Sequence, residues 1–361
     1  MIKLAISIGT LQIGGAEIFV VNLLKHLDYS RYKVLLVVLS KKYDTYLEKE
    51  IARLPIEIVF MDKPEGFRPR IMCRIYRILK VFKPDLLHGN IGGLIYFLPY
   101  LIFHRLKMIH TVHTLANIEF KGVKRRIIYY CYRKKKIIPV ATSRAVLESI
   151  RKLYKLEEVI LIPNGIDVKR FRCQRDYLYK KVTIGHVGRF EAVKNHQTII
   201  KTFFLLRLTN PNLRLRLVGN GSLYSYYKDL LENEKDVEMV GASPQVFEEL
   251  RGIDIFLFPS RYEGMPLALL EAMASGCVIV ASKIGGIVDL VEPGENGVLI
   301  DDCDDAEAFA RAIKDLLKDK EKMKAISQNN QRKAEDFDLI KMQGSYQKLY
   351  FTEVRDVKRR I

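Results

Sequence analysis

The sequence predicts two α/β domains, each a Rossmann-like, doubly wound parallel sheet, facing each other across a cleft. Three observations lead there. A chain of 361 residues is long for one α/β core and long enough to bury two. Strand-like runs alternate with helical patterns along nearly all of it, the order that produces parallel sheets. The alternation breaks once, at a polar, basic stretch over residues 169–181 that follows the turn signal Pro163-Asn164-Gly165, and then restarts.

A strand at 3–8, a glycine-containing loop at 9–15, a helix at 16–27 and a strand at 33–39 make one βαβ unit. Further strands are expected at 56–60, 85–88, 107–112, 137–142 and 159–162. After the break come strands at 182–187, 213–218, 237–240, 253–258, 278–281 and 298–300, with helical segments between them. The segment from about residue 307 on is helical by composition and spacing. The expected organisation is a domain over 1–168, a linker over 169–181, a second domain over 182–340, and a C-terminal helix over 341–361 packing back toward the first domain. Ligands of such sheets bind outside the carboxyl ends of the strands.

Composition narrows the class. With 48% apolar and 28% charged residues, the chain is neither disordered nor fibrous. Its five cysteines form no C-x-x-C pair and have no zinc-ligand spacing, which points to reduced thiols and a cytoplasmic protein. The first strand lacks the apolar core and cleavage site of a signal peptide. The longest apolar stretch, 91–103, contains Pro99 and falls short of the roughly 20 residues a spanning helix needs, so it reads as a buried helix. Charge is unevenly spread: residues 1–180 carry 34 Lys and Arg against 15 Asp and Glu, whereas 181–361 carry 26 against 27. The first half therefore faces something anionic. No nucleic-acid-binding signature is present.

Four places carry candidate chemistry. The run from Ile253 through Glu263-Gly264-Met265-Pro266-Leu267 to Glu271 and Gly276 reads strand, loop, helix, strand. Pro266 suits the first helical turn and Gly276 the helix end, which leaves amides around Gly264, Met265 and Leu267 at an anion-binding helix N-terminus. Glu263 lies at the mouth and Glu271 about two turns in. Carboxylates there are poor phosphate ligands but good hydroxyl acceptors, suited to sugar and ribose. A glutamate that merely complements the helix dipole, plus an incidental second one, would give the same spacing.

The loop after the strand at 182–187 holds Gly188, Arg189 and Lys194. Two cations there can neutralise a diphosphate, or be ordinary solvated surface. Gly14 and Gly15, between the first strand and first helix, permit close backbone approach to a ligand or make a plain tight turn. The dinucleotide fingerprint G-x-G-x-x-G is absent. His113 follows the strand at 107–112 and is a substrate-contact candidate or a structural histidine; His110, within that strand, reads as packed.

These residues, with Ile162-Pro-Asn-Gly-Ile-Asp167 and Phe171, Gly285-Gly286 and Asn296-Gly297, resemble in order the retaining GT-B glycosyltransferases of family four, which build polysaccharides and glycolipids from nucleotide sugars. The resemblance covers nearly the whole chain. It implies that Arg189 and Lys194 hold the donor diphosphate, Glu271 the ribose hydroxyls and Glu263 the donor sugar. It also implies that the Gly14-Gly15 loop closes over phosphate and acceptor, His113 contacts the donor sugar, and backbone from Gly241 to Ser243 meets the base. One departure is Asp289 behind Val288, where the family has an acidic residue behind proline. The implied reaction needs no cofactor and no metal; the acidic run 301–305 reads as a solvated turn and helix cap.

Two basic stretches remain. Residues 68–83 place Arg70, Arg74, Arg77 and Lys80 among apolar residues at helical spacing, and 121–136 interleave Ile127, Ile128, Tyr129, Tyr130 and Tyr132 with cations. Such helices suit an anionic membrane surface, or cover a sheet with a solvated basic face. The expected function is transfer of a hexose or N-acetylhexosamine from a UDP-sugar to a glycan or lipid-linked acceptor, at the inner face of the membrane. A sugar-nucleotide epimerase of the same fold, or a non-catalytic membrane-associated scaffold, are the rival classes.

Overall fold

A computed structural model describes residues 1–175 and 181–359. The chain divides into two compact units, the first made of Met1–Gly165 together with the segment from Leu339 on, the second of Ile166–Asp338. The boundary differs from the expected one: 166–175 count with the second unit, because Ile166 bridges Asp338 and its amide donates to the Phe337 carbonyl at 3.0 Å. Of the expected linker, residues 176–180 lie outside the described residues, as do the last two residues of the expected C-terminal helix.

Among the described residues the first unit holds seven strands: β1 (Ile2–Ile8), β2 (Tyr32–Val38), β3 (Glu57–Phe60), β4 (Leu86–Asn90), β5 (Lys107–Val112), β6 (Ile137–Ala141) and β7 (Ile160–Leu161). They form one parallel sheet in the order β3-β2-β1-β4-β5-β6-β7. Because successive strand residues point to opposite faces, Leu4, Ile6 and Ile8 of β1 join one apolar cluster while Ala5 joins the other. Helix Gly15–Lys25 covers the first face with Phe19, Val20 and Leu23. On the opposite face lies helix Leu94–Phe103, which spans the apolar stretch read as a buried helix. It buries Leu94 to Leu98 and leaves Ile102 and Phe103 exposed.

Helix Leu339–Arg359 belongs to this unit. Tyr346 and Tyr350 are fully buried beside Phe19 and Tyr32. Their hydroxyls are satisfied within a polar chain: Tyr350 Oη with His88 Nδ1 at 2.7 Å, His88 Nε2 with Thr111 Oγ1 at 2.8 Å, and Thr111 Oγ1 with Tyr346 Oη at 2.8 Å. Burial holds the His88 ring to a pKa of about 3, so this network is made by a neutral imidazole.

The second unit holds β8 (Val182–Val187), β9 (Leu213–Val218), β10 (Val237–Gly241), β11 (Ile255–Phe258), β12 (Val278–Ser282) and β13 (Gly297–Ile300), all parallel, in the order β10-β9-β8-β11-β12-β13. β11 starts two residues later than its apolar run; just ahead of it the Asp254 carboxylate accepts the Thr183 amide at 2.9 Å. In both sheets the order reverses beside the first strand, at β1/β4 and at β8/β11. Those switch points are where loops at the carboxyl ends splay apart and a ligand can enter.

Candidate active site

In the second unit, the loop after β8 and the loop after β11 meet. Lys194 Nζ lies 2.5 Å from Glu263 Oε1, with the two side chains 16% and 12% exposed, and the same ammonium sits 5.0 Å from the centre of the Phe258 ring. Residues 69 positions apart are thus brought into one contact. Asn195, buried and in the left-handed region at φ 55°, turns the chain sharply after Lys194, a conformation asparagine tolerates better than most residues. Its side chain donates to the Cys303 carbonyl at 2.7 Å and to Asp304 at 3.1 Å. Arg261 pairs with Asp304 at 2.6 Å and donates to Asn195 at 3.3 Å, while its amide donates to the Val193 carbonyl at 2.8 Å. Arg261, Asn195 and Asp304 therefore clamp the two loops together.

Glycine is needed at 285 for a specific reason. Its φ is 45°, and a Cβ there would fall 2.1 Å from the Glu263 carbonyl oxygen; the Gly286 amide donates to that oxygen at 3.1 Å. Gly285 and Gly286 hold the backbone of Glu263 from the side of β12. A Cβ at Gly188 would lie 2.7 Å from Nε2 of His186, a buried histidine whose Nδ1 donates to the Leu257 carbonyl at 2.9 Å.

Helix Leu267–Ala274 begins right after this loop. Pro266 is its N-cap, with extended ψ of 115°, and not part of its first turn as expected; no side chain caps the helix, so its first amides remain available to an anion. It ends in a Schellman motif, Gly276 at φ 72° donating to Met273 and Cys277 to Ala272. Glu271 is the fifth residue of this helix, nearer its start than two full turns, and is partly exposed. Its carboxylate accepts no hydrogen bond from the described residues; burial pushes its pKa up to about 8, against the pull of Arg170. Arg170 stacks over Phe247 at 5.0 Å in the short helix Val168–Phe171, capped by Asp167.

The other expected residues of this unit stand apart from that contact. Arg189 is exposed, beside Glu191. Gly241 ends β10 at φ 78°. The Ser243 hydroxyl is engaged in its own turn, donating to Glu249 at 3.1 Å and accepting from the Gln245 amide at 3.2 Å, which leaves backbone there to meet a ligand. Sequence reading missed Arg170, Arg261 and Asp304; only the capping aspartate ahead of Arg170 leaves a local signal. The acidic run reads as expected at Asp305, which caps helix Ala306–Leu317 by accepting the Ala308 amide at 2.8 Å.

In the first unit, Gly14 is the N-cap of helix Gly15–Lys25 with extended φ, and a Cβ on Gly15 would meet open space. Backbone conformation does not demand glycine there. His113, at the end of β5, contacts Asn90 Oδ1 through Nε2 at 2.9 Å and packs edge-on against Phe19. Asn90 donates its amide to the Ser7 carbonyl, which fixes its Oδ1 as the acceptor. Burial, with His110 adding to it, holds His113 to a pKa of about 3. The ring is therefore neutral, donates from Nε2, and leaves Nδ1 as an acceptor. His110 is buried as expected, held by Tyr132 at 2.5 Å and Glu119 at 2.9 Å.

Comparison with known proteins joins these observations. A family model described as Glycosyltransferase Family 4 matches residues 13–170, and one described as Glycosyl transferases group 1 matches residues 173–333. Together they take in both units and all four candidate stretches: the chain is a glycosyltransferase of family 4 type with the two-domain GT-B fold. N-acetyl-alpha-D-glucosaminyl L-malate synthase of Bacillus anthracis is 27% identical over 275 residues, covering 72% of this chain and 71% of that protein. UDP-Gal:alpha-D-GlcNAc-diphosphoundecaprenol alpha-1,3-galactosyltransferase of Escherichia coli is 26% identical over 319 residues, 78% of this chain and 79% of that one. Among solved structures, Anabaena Alr3699/HepE in complex with UDP and glucose matches with a TM-score of 0.80 at 19% identity, covering 97% and 99% of the two chains, a likeness of fold.

Proposed function

We propose that the protein moves a hexose or N-acetylhexosamine from a UDP-sugar to a glycan or lipid-linked acceptor in surface polysaccharide or glycolipid synthesis. In this reading the anomeric configuration is retained and no metal or other cofactor takes part. The observation that carries it is the Lys194–Glu263 contact beside the uncapped start of helix Leu267–Ala274, with Glu271 on that helix. Cation, free amides and two carboxylates are what a sugar diphosphate presents partners for: phosphates, ring hydroxyls and ribose hydroxyls. Support for uridine comes from the UDP in the HepE complex and from the UDP-galactose in the name of the E. coli relative, whose acceptor is diphosphoundecaprenol-linked.

Lys194 and Arg189 neutralise the charge that builds on the departing diphosphate, a place otherwise filled by magnesium. Glu263 accepts hydroxyls of the sugar, Glu271 those of the ribose, and the neutral His113 offers Nδ1 to the donor sugar. The acceptor hydroxyl gives its proton to the leaving phosphate on the same face, so no side chain acts as general base. Incubation with UDP- and GDP-sugars in EDTA is expected to release nucleotide diphosphate from one donor, and not in Glu271→Ala. Release that requires added metal, or survives that substitution, overturns the reading.

The basic helices bring the enzyme to an anionic membrane, on the cytoplasmic side. In helix Pro69–Phe82 the exposed face carries Arg70, Arg74, Arg77 and Lys80, and helix Gly122–Arg133 exposes Val123, Ile127 and Tyr130 among Lys124, Arg125 and Arg126. Apolar side chains exposed beside cations fit a headgroup layer better than bulk water. Among the described residues no helix is long and apolar enough to cross a membrane. Cosedimentation with anionic vesicles at low salt is expected, and is expected to be lost when Arg74, Arg77, Arg125 and Arg126 are changed to glutamate; absence of binding by the unaltered protein removes the membrane claim.

A further inference from the structure

The first unit contains a cavity of about 470 Å³ at the carboxyl ends of β1, β2 and β4. That lies within the range of small-molecule sites. Its wall is mostly carbon: Leu39, Ile95, Tyr96 and Phe120 are buried behind it, and Phe67 and Ile91 stand exposed at its open side. Four of the six polar side chains of the wall are engaged elsewhere, Glu65 and Lys124 being the others. Lys63 Nζ donates to the Pro64 and Gly66 carbonyls, both at 2.8 Å, and the Ser40 hydroxyl to the Lys41 carbonyl at 3.0 Å. The Tyr96 hydroxyl accepts the Arg68 amide at 3.2 Å, and Glu119 is held on His110. A sugar needs several free donors and acceptors to replace its water, and this wall does not supply them. It suits an apolar body.

The open side has a different character. Lys124 lines it, its ammonium 5.9 Å from the Phe67 ring. Arg68, Arg70, Lys121, Arg125 and Arg126 follow within a few positions, against Glu65 and the engaged Glu119. The cavity lies where both basic helices begin: Phe67 is two residues ahead of helix Pro69–Phe82, and Lys124 is in the first turn of helix Gly122–Arg133. We infer that it seats the head-proximal part of an acyl or isoprenoid chain that carries a phosphate or diphosphate, with Lys124 meeting the anionic group at the mouth. This rests on the lipid-linked form of the acceptor proposed above and places its lipid in a named pocket.

The chain contains no tryptophan, so Phe67→Trp gives it a single reporter indole at the mouth. Farnesyl diphosphate, titrated below its micelle concentration, is expected to shift that emission to the blue and saturate. Inorganic diphosphate is expected to leave it unchanged, which separates a lipid phosphate from a free one. Lys124→Glu in the same background is expected to weaken binding by about tenfold or more, roughly 1.4 kcal/mol. A missing shift with farnesyl diphosphate, an equal shift with inorganic diphosphate, or an unchanged affinity in Lys124→Glu overturns the assignment. Thermal stabilisation by UDP is measured on the same samples. UDP binding without farnesyl diphosphate binding rejects the pocket and leaves the transferase reading standing; failure of both rejects both.

Discussion

Lys194→Ala is expected to lower kcat/KM for transfer by about 10²- to 10³-fold, the range for removing one preorganised donor from developing negative charge. The magnitude follows from position. The ammonium is only 16% exposed, lies against the Phe258 ring, and is fixed by Glu263 at 2.5 Å. On the proposed reading its charge is already in place when a diphosphate departs, at no cost of reorganisation. The substitution also strands the Glu263 carboxylate, itself 12% exposed, so some loss of stability accompanies it, about 1–3 kcal/mol. A second variant separates the effects. Lys194→Met combined with Glu263→Gln removes both charges, and is expected to recover most of the stability and none of the activity. Steady-state release of nucleotide diphosphate alongside thermal unfolding gives both quantities. If kcat/KM per folded molecule is unchanged in Lys194→Ala, the pair is a structural ion pair and the donor diphosphate is held elsewhere.

Much of this arrangement was legible in the sequence because it is local. Apolar runs between helical patterns locate the strands, and the structure differs from them by a residue or two at their ends, as at Asp254, whose carboxylate takes the Thr183 amide just ahead of the strand. Lys194 and Glu263 were each visible from their place after a strand. Their mutual contact was not, since it depends on the order of strands in the sheet, which puts β8 beside β11 although β9 and β10 intervene in the chain. The same non-locality hid the clamp of Arg261 on Asp304 and Asn195, and the closeness of Arg170 to Glu271. It hid the division of the chain too: residues 166–175 lack a strand of their own, and what assigns them to the second unit is pairing with Asp338 and Phe337 at its far end. Pro266 shows a subtler limit. Proline is compatible with both N-cap and first turn, because its φ suits either and its missing amide costs nothing at either, so composition could not choose between them.

UDP is expected to bind more tightly as pH rises from 6 to 8, by up to about tenfold per pH unit, if Glu271 accepts the ribose hydroxyls as a carboxylate. The side chain has no hydrogen-bond partner among the described residues, and burial raises its pKa to about 8 from 4.5. Between those two values the folded protein keeps a proton that the unfolded chain has lost. Stability contributed by this group therefore falls as pH rises through that window and levels off above about 8. The ligand works in the opposite direction: hydroxyl donors favour the charged form, so binding expels the proton, and affinity follows the ionised fraction. Glu271→Gln removes both dependences. It is expected to be more stable than the unaltered protein by about 1–3 kcal/mol at pH 8, discounted for its partial exposure, and similar to it near pH 5. It is also expected to bind UDP weakly, since the amide puts an NH2 donor where the carboxylate presents its second acceptor oxygen. Calorimetry of UDP binding in buffers of different ionisation enthalpy measures the expelled proton directly, with Glu271→Gln correcting for protons taken up or lost by the nucleotide's own phosphate. Equal proton release in the two proteins, or equal slopes of affinity against pH, would show that the raised carboxyl is not the group that meets the ribose.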